Sequence, residues 1–380
     1  MNNEELYNNL ISLCNKHEAF YFKDHYNLGA IYRIFDYRLA SYTDFCEPGA
    51  LACRGIMFQV DEKGEYIRIS SRPMDKFFNY AENPFSMIDK STLSTEIEMA
   101  IDKLDGSLIS SFMNAEIKVQ LKSKGSLESE HAILANKLLR SNLEMENEVT
   151  LLETLGFTVN FELLSPELRI VVPYQKDELR FLNARNRSTG DYLVLNELKE
   201  NYPVLYACSV YKDGYISSSV PMKSTVYDTV SEIYKMQDSI EGFVFKLKNG
   251  TFFKVKTDKY CSLHHSKDSV LIDSRLFEVV LNGGTDDLRQ LFKDDPISIN
   301  KIEKMEQKVF LCYNRIISIV TEFYEAFNDL ERKEYAEKCT SLLPARYNMQ
   351  GLAFMLYNNK VPDYKKNLQK YMRDVLKEDD

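Results

Sequence analysis

The tetrapeptide Lys103-Leu104-Asp105-Gly106 puts an amine beside an acid and a glycine, the materials of a nucleophile held at a turn. A free lysine has a pKa of about 10.4, so it attacks an electrophile only where its surroundings favour the neutral amine. Four residues of this kind also make an ordinary surface turn, and their weight comes from their companions. Asn249-Gly250 joins two strand-like runs, 240–248 and 251–256. A two-residue type I′ loop there pairs 248 with 251, 245 with 254, 243 with 256 and 241 with 258. That register predicts Glu241, Lys254 and Lys256 on one face together with Phe243 and Phe245, a mixture suited to a ligand cleft. Val244 and Val255 fall on the other face.

Other chemistry-bearing residues recur on strand-like runs. In Phe157–Leu164, alternation sends Phe157, Val159, Phe161 and Leu163 to one side and Asn160 and Glu162 to the other. Lys122 and Lys124 share a face, as do Arg54 and Ile56. Arg72-Pro-Met-Asp-Lys76-Phe-Phe78 sets two cations beside aromatic rings, a composition suited to phosphate binding and base stacking, and equally to lysine and arginine stems covering a core.

These residues need a scaffold. Leu6, Leu10 and Leu13 predict an amphipathic opening helix over Asn2–Lys16. Hairpins are predicted for 54–60 with 65–71, across Asp-Glu-Lys-Gly, and for 108–112 with 117–122. The leucine spacing of 128–155 predicts helix, and 157–164 and 179–184 revert to strand. Strand signals fade beyond about Ser262, and from Asp286 onward long runs such as 300–324 and 364–376 have helical spacing with few breakers. The division between a mixed part and a helical part falls near 258–270. No internal repeat or low-complexity segment is present.

The 380 residues favour two domains, and 44% hydrophobic with 12% aromatic residues, 14 Gly and 10 Pro is a globular composition. The seven cysteines form no CxxC pair, so they read as reduced thiols of a cytosolic protein. The five histidines, His264-His265 among them, lack zinc-ligand spacing. The start of the chain carries no basic-then-apolar leader, and no apolar run reaches the ~20 residues of a membrane span. A net charge of −9 argues against a sequence-independent nucleic-acid coat but leaves room for a local basic groove.

Seven motifs in order, Cys53-Arg-Gly-Ile-Met-Phe58, Ser71-Arg-Pro-Met-Asp-Lys-Phe-Phe-Asn79, Lys103-Leu-Asp-Gly-Ser107, Lys122-Ser-Lys-Gly125, Asn160-Phe-Glu162, Ile240-Glu-Gly-Phe-Val244 and Phe253-Lys-Val-Lys256, resemble the T-even phage RNA ligase 1 family of covalent nucleotidyltransferases. The resemblance covers roughly residues 30–290. It implies an α+β fold: an antiparallel-sheet nucleotidyltransferase domain over 1–260, then an all-helical carboxy-terminal domain over 261–380 concerned with RNA or tRNA specificity. Lys103 matches the adenylated lysine, and Arg54 and Lys76 match ATP contacts. Tyr37, in Phe35-Asp-Tyr-Arg38, matches a nucleotide-pocket tyrosine, and Glu162 an essential glutamate that contacts ATP. Glu241 with Gly242, Lys254 and Lys256 match the last two nucleotidyl-transfer motifs. Tyr260 matches a tyrosine required for ligation, and Asp286 a position linked to the magnesium shell. One departure is Leu104, at the variable second position of Lys-x-Asp-Gly, where a relative carries an acid.

The resemblance further implies ATP as cosubstrate, Mg²⁺, RNA as partner (a tRNA nicked in its anticodon loop) and a cytoplasmic location, the host cytosol for a phage-encoded chain. Lysine-adenylate chemistry is shared with DNA ligases and GTP-using capping enzymes, and an RNA-binding relative without catalysis is a further alternative. On the helical part, Lys301, Lys304, Lys308 and Arg315 lie along one stripe beside apolar Ile302, Met305 and Val309. The stripe is either a surface for RNA phosphates or a solvated face balanced by Glu303 and Glu306.

Overall fold

The computed structural model describes residues 2–168, 172, 174–211, 213–238, 240–264, 272–292 and 296–377; the expectation for His265 lies outside them. The chain forms two compact units, 1–264 and 265–380. Helix α7 (Asp258–His264), which a division after residue 260 cuts, stays whole with the first unit.

The first unit opens with α1 (Asn3–Lys16), started by a capping box in which the Asn2 side chain accepts from the Glu5 amide and the Glu5 carboxylate accepts from the Asn2 amide. Its Leu6, Tyr7, Leu10 and Leu13 pack on a four-stranded antiparallel sheet, β1 (Phe20–Asn27), β2 (Ala30–Tyr37), β3 (Ile56–Val60) and β4 (Tyr66–Ser71), in that order. The strands β5 (Phe78–Asn79), β6 (Ile97–Lys103), β7 (Ser107–Met113) and β8 (Val119–Ser123) follow. The expected helix over 128–155 is two, α2 (Glu130–Arg140) and α3 (Leu143–Thr154). They break at Ser141-Asn142, where the Asn142 side chain accepts from the Met145 amide and starts a new helix, and this cap outcompetes the continuous leucine spacing.

Strands β9 (Phe157–Leu164) and β10 (Glu178–Asn186) complete a second antiparallel sheet in the order β10-β9-β7-β8. One face of it, with Ile109, Leu121, Phe161 and Phe181, packs on α2 and α3. The other face is polar, with Ser110, Lys122, Asn160 and Glu162. After α4 (Leu195–Asn201), α5 (Pro203–Ala207) and α6 (Val226–Lys235), strands β11 (Gly242–Leu247) and β12 (Phe252–Lys256) form a third sheet in the order β5-β12-β11-β6. All of its neighbours are antiparallel except β5 with β12.

The β11–β12 register differs from the expectation by one residue. Gly242 pairs with Lys256, Val244 with Lys254 and Phe245 with Phe253. Leu247 and Thr251 close a three-residue loop, with Gly250 left-handed at φ +86°, so Asn-Gly serves here a turn followed by a left-handed glycine and not a type I′ turn. Phe243 and Phe245 therefore face away from the lysines: they are fully buried with Phe253, Val255 and the α6 residues Val226, Val230 and Ile233. They are core and line no cleft.

The second unit is helical: α8 (Asp273–Asn282), α9 (Thr285–Leu291), α10 (Pro296–Phe327), α11 (Arg332–Leu342), α12 (Met349–Tyr357), α13 (Tyr364–Lys370) and α14 (Met372–Leu376). Its core draws on Leu276, Phe277, Ile302, Val309, Tyr335, Leu352 and Leu368. The cysteines among the described residues are free thiols. No helix among the described residues is long and apolar enough to cross a membrane.

Candidate active site

Lys103 is the last residue of β6, and the strand register puts it in one cross-strand row with Gly242 of β11 and Lys256 of β12. Lys103 and Lys256 thus flank a residue with no side chain. Gly242 has φ +152°, and a Cβ there would stand 1.9 Å from the Val255 carbonyl oxygen, so only glycine fits the row. This backbone departure also interrupts the strand alternation, which explains how Glu241 reaches the lysine face despite the shifted register. Its buried carboxylate binds Lys103 Nζ at 2.7 Å through Oε2 and Lys256 Nζ at 3.2 Å through Oε1. Lys254 lies one row back on the same face, opposite Val244.

The turn after Lys103 is fixed from several sides. The Asp105 carboxylate is buried, accepting from Tyr260 Oη at 2.8 Å and from the Val172 amide at 2.7 Å, while its own amide donates to Tyr174 Oη at 3.0 Å. The Gly106 amide donates to Glu162 Oε1 at 3.2 Å, and a Cβ on Gly106 would stand 2.4 Å from the Leu163 carbonyl oxygen. Tyr260 is tied in turn to Glu241. The Thr257 amide donates to the Glu241 carbonyl oxygen at 3.0 Å, and Thr257 Oγ1 accepts the Tyr260 amide at 3.0 Å. A closed circuit therefore runs from Lys103 through Glu241, Thr257 and Tyr260 back to Asp105.

Glu162, on the polar face of the second sheet, faces this cluster. Burial pushes its carboxyl up to about 7 and Glu241 adds to the rise, against the opposing pull of Lys103, Arg54 and the Gly106 amide. Arg54 also acts on a second group of charges. Around Tyr37, at the end of β2, stand Lys124 Nζ at 4.7 Å and Lys76 Nζ at 5.4 Å from the ring centroid. Burial alone would raise the Tyr37 phenol, but Lys76, Lys124 and Arg54 outweigh it and hold the pKa below its ordinary value. Lys76 is further enclosed by the rings of Phe45 and Phe78, and Arg54 lies over Phe77 at 5.6 Å. Asp36 is the carboxylate beside this group, 3.1 Å from Lys124 Nζ.

The first unit thus brings together Lys103, Glu162, Glu241, Gly242, Lys256 and Tyr260, with Arg54 joining them to Tyr37 and Lys76. Asp286 stands in the first turn of α9 in the second unit, its carboxylate accepting from the Asp287 amide at 3.1 Å. No group of three or more His, Cys, Asp and Glu among the described residues has the arrangement of a metal site. Of the cations in the 72–78 run, Arg72 is spent on the carbonyls of Arg187 and Ser188. Asn160 bonds Ser110 and Asn183 within its own sheet. Tyr174 and Asp36 went unassigned in the sequence; Asp36 adjoins Tyr37, a visible signal, whereas Tyr174 lies in no periodic element.

A family model described as RNA ligase matches residues 52–261, and one described as T4 RNA ligase 1, C-terminal domain matches 267–379. The chain is 28% identical over 260 residues to a Thermovibrio ammonificans protein whose name carries the words RNA ligase, covering 66% of this chain and 63% of that one. It is 29% identical over 158 residues to RNA ligase 1 of bacteriophage TS2126, covering 40% of this chain and 38% of that one. To the RNA ligase of Rhodothermus phage RM378 it is 23% identical over 191 residues, 42% of each. The matched part spans less than two thirds of each of these relatives' lengths. The two family models account for both units in order, and the chain belongs to the RNA ligase family, its second unit matching the T4 RNA ligase 1 C-terminal domain.

Proposed function

We propose that the chain is an ATP-dependent RNA ligase. Lys103 Nζ attacks the α-phosphorus of ATP, forming lysyl-AMP and releasing pyrophosphate. An RNA 5′-phosphate oxygen then attacks the lysyl-AMP phosphorus and frees the lysine, giving a 5′-adenylated RNA. A 3′-hydroxyl oxygen finally attacks the activated 5′-phosphate, forming the phosphodiester with AMP as leaving group and loss of the hydroxyl proton. The observation that carries this reading is the row Lys103-Gly242-Lys256 with Glu241 bridging its two amines. An α-phosphate over Gly242 meets the nucleophile on one side and a cation on the other. Its anionic oxygens compete with Glu241 for the two lysines, and the β- and γ-phosphates extend past Arg54 toward Lys76 and Tyr37.

The carboxylates of Glu162 and Glu241 beside Lys103 are hard oxygen donors of the kind that Mg²⁺ takes, and they stand close enough for Glu241 to push the Glu162 carboxyl upward. Glu162 and Glu241 are the residues of the first unit that would hold Mg²⁺ beside Lys103, and the family resemblance separately links Asp286 of the second unit to the magnesium shell. The ion would supply neutralisation of the phosphate charge during displacement. A tRNA nicked in its anticodon loop, in the host cytosol, is the substrate that the resemblance favours, and the match over 267–379 supports it.

The test is incubation with ATP or GTP labelled at the α-phosphate, then with matched nicked RNA, nicked DNA and nicked tRNA. The expected result is label on the protein from ATP, passing to RNA and leaving sealed product. Labelling by GTP alone would turn the assignment to a capping enzyme, sealing of DNA alone to a DNA ligase, and no labelled protein would overturn it.

A further inference from the structure

Strand β8 carries a lysine sealed from solvent. Lys122 is fully buried, in a cross-strand row with Ser110 and Asn160 on the sheet face that also carries Glu162. Its amine donates to the carbonyl oxygens of Gly55, at 2.7 Å, and Ser123, at 3.2 Å. Burial pushes the amine down to about 7, with Lys124 adding to the fall and Asp36 opposing it. A core under selection for stability alone does better with an apolar side chain of the same volume than with such an amine. The position of its acceptors gives it another use.

Gly55 directly follows Arg54, and its amide donates to the Phe35 carbonyl oxygen at 2.9 Å. Its φ is +88°, and a Cβ there would stand 2.6 Å from the Lys124 carbonyl oxygen. The Arg54-Gly55 turn is therefore wedged between the end of β2, which carries Asp36 and Tyr37, and the Ser123-Lys124 segment. Lys122 bonds one carbonyl of the wedged turn, Gly55, and one of the segment beside it, Ser123, and so ties the two together. The side chains issuing from these segments, Arg54, Lys124 and Tyr37, belong to the cationic group that awaits the outer phosphates.

We propose that Lys122 is a positioning residue for nucleotide binding, which holds Arg54 and Lys124 in place as a subsite for the two outer phosphates of ATP. The inference rests on the ligase reading above. The outer phosphates leave as pyrophosphate in the first step and take no part in the third. Loss of Lys122 therefore weakens formation of lysyl-AMP while sparing the joining of RNA that is already adenylated. A residue that only supports the fold affects both steps together.

The experiment uses the full chain with Lys122→Met and Lys122→Gln, whose amide can still donate toward Gly55. It measures the KM for ATP in formation of labelled enzyme-AMP, and the rate of sealing of 5′-adenylated RNA without ATP. The expected result is a KM raised about tenfold to a hundredfold in the Met variant, the scale of a binding group displaced by about an ångström. Its rate on adenylated RNA stays within about twofold of wild type, and the Gln variant lies between on the KM axis. An unchanged KM, or a parallel loss in both assays, overturns the proposal, and if the Met variant does not fold the Gln variant decides on the same criteria. A wild-type chain that forms no enzyme-AMP would instead overturn the ligase reading, and this inference with it.

Discussion

The two ends of the site are built on opposite electrostatic plans. Around Lys103 the cations are already answered: Glu241 bridges Lys103 and Lys256, and Glu162 stands nearby as a half-buried carboxyl raised to about 7. Around Tyr37 the balance tips the other way, with Arg54, Lys76 and Lys124 strong enough to pull a half-buried phenol below its ordinary pKa. The first end is preorganised without a ligand, because its charges satisfy one another and its turn is pinned by Asp105, Tyr260 and Gly106. The second end, on the ligase reading, is completed by the phosphates of ATP. Substitutions at the Lys103 end should therefore damage the chemical step, and those at the Tyr37 end the capture of ATP.

The largest expected effect belongs to Lys103, the proposed nucleophile. Lys103→Ala is expected to lower enzyme-AMP formation by more than about 10⁴-fold, the scale for removing an activated nucleophile. Its melting temperature should stay near that of wild type, since Lys103 is partly exposed and no core group. Labelled AMP still appearing on this variant would remove Lys103 from the mechanism.

Next comes the phosphate-facing row. Lys256→Ala is expected to slow adenylation by about 10²–10³-fold, as for loss of one preorganised charge-stabilising group. Lys254→Ala, one row back, should cost less, and the double variant should be no worse than additive if the two act independently. Equal adenylation by both single variants and wild type would break the reading of the row. At the other end, Lys76→Ala is expected to raise the KM for ATP about tenfold while leaving the sealing of adenylated RNA nearly unchanged. A loss in kcat as large as the loss in kcat/KM would erase the distinction between the ends.

The raised carboxyl of Glu162 gives a subtler handle. Its folded pKa of about 7 stands above the ordinary 4.5. The folded state therefore holds more protons than the unfolded one between those values, and stability falls as pH rises through that window. Glu162→Gln should melt higher than wild type at pH 8 and lose that advantage at pH 5, a shift of about 2–4 °C per kcal/mol in a unit of this size. Glu153 is also pushed up to about 7 and remains in both proteins, so the difference between their melting curves isolates Glu162. Parallel curves across pH would show that Glu162 is not held above its ordinary value.

Much of this site was legible because its residues sit on strands with plain alternation. Glu162 on 157–164 and the lysines at 254 and 256 needed only the correct face. The shared face of those two lysines survives the one-residue slip, since residues two apart on a strand point the same way whatever their partners. The slip does reverse the partner strand, and it turned Phe243 and Phe245 from core into supposed cleft. Asn249-Gly250 fits both a two-residue and a three-residue loop, so local sequence alone does not choose. The partners of Asp105 were beyond reach for another reason. Tyr174 and Tyr260 stand 69 and 155 residues away in the chain, and meet Asp105 only through the packing of separate elements.

The smallest expected effect lies in the helical unit, where α10 carries Lys301, Lys304, Lys308 and Arg315. The neighbouring Ile302, Met305 and Val309 are buried, so the apolar stripe faces the core as its spacing predicts. The solvated-face alternative relied on Glu303 and Glu306, but Glu306 is engaged by Arg289 of α9. Lys301 is paired with Asp273 at 2.9 Å, which gives it a structural use. Lys304 and Arg315 are exposed, the accessibility that binding a phosphate requires. Changing all four to Gln is expected to weaken nicked-tRNA binding several-fold and leave enzyme-AMP formation unchanged. The slope of log affinity against log salt should fall by about 0.7–0.9 for each RNA phosphate that the variant no longer neutralises. If the exposed Lys304 and Arg315 carry the RNA contact, a variant sparing Lys301 should keep most of this effect, because an exposed ion pair contributes only about 0–1 kcal/mol to the fold. An unchanged tRNA affinity and salt slope in the folded fourfold variant would return the stripe to solvent, leaving the first unit to hold the RNA alone.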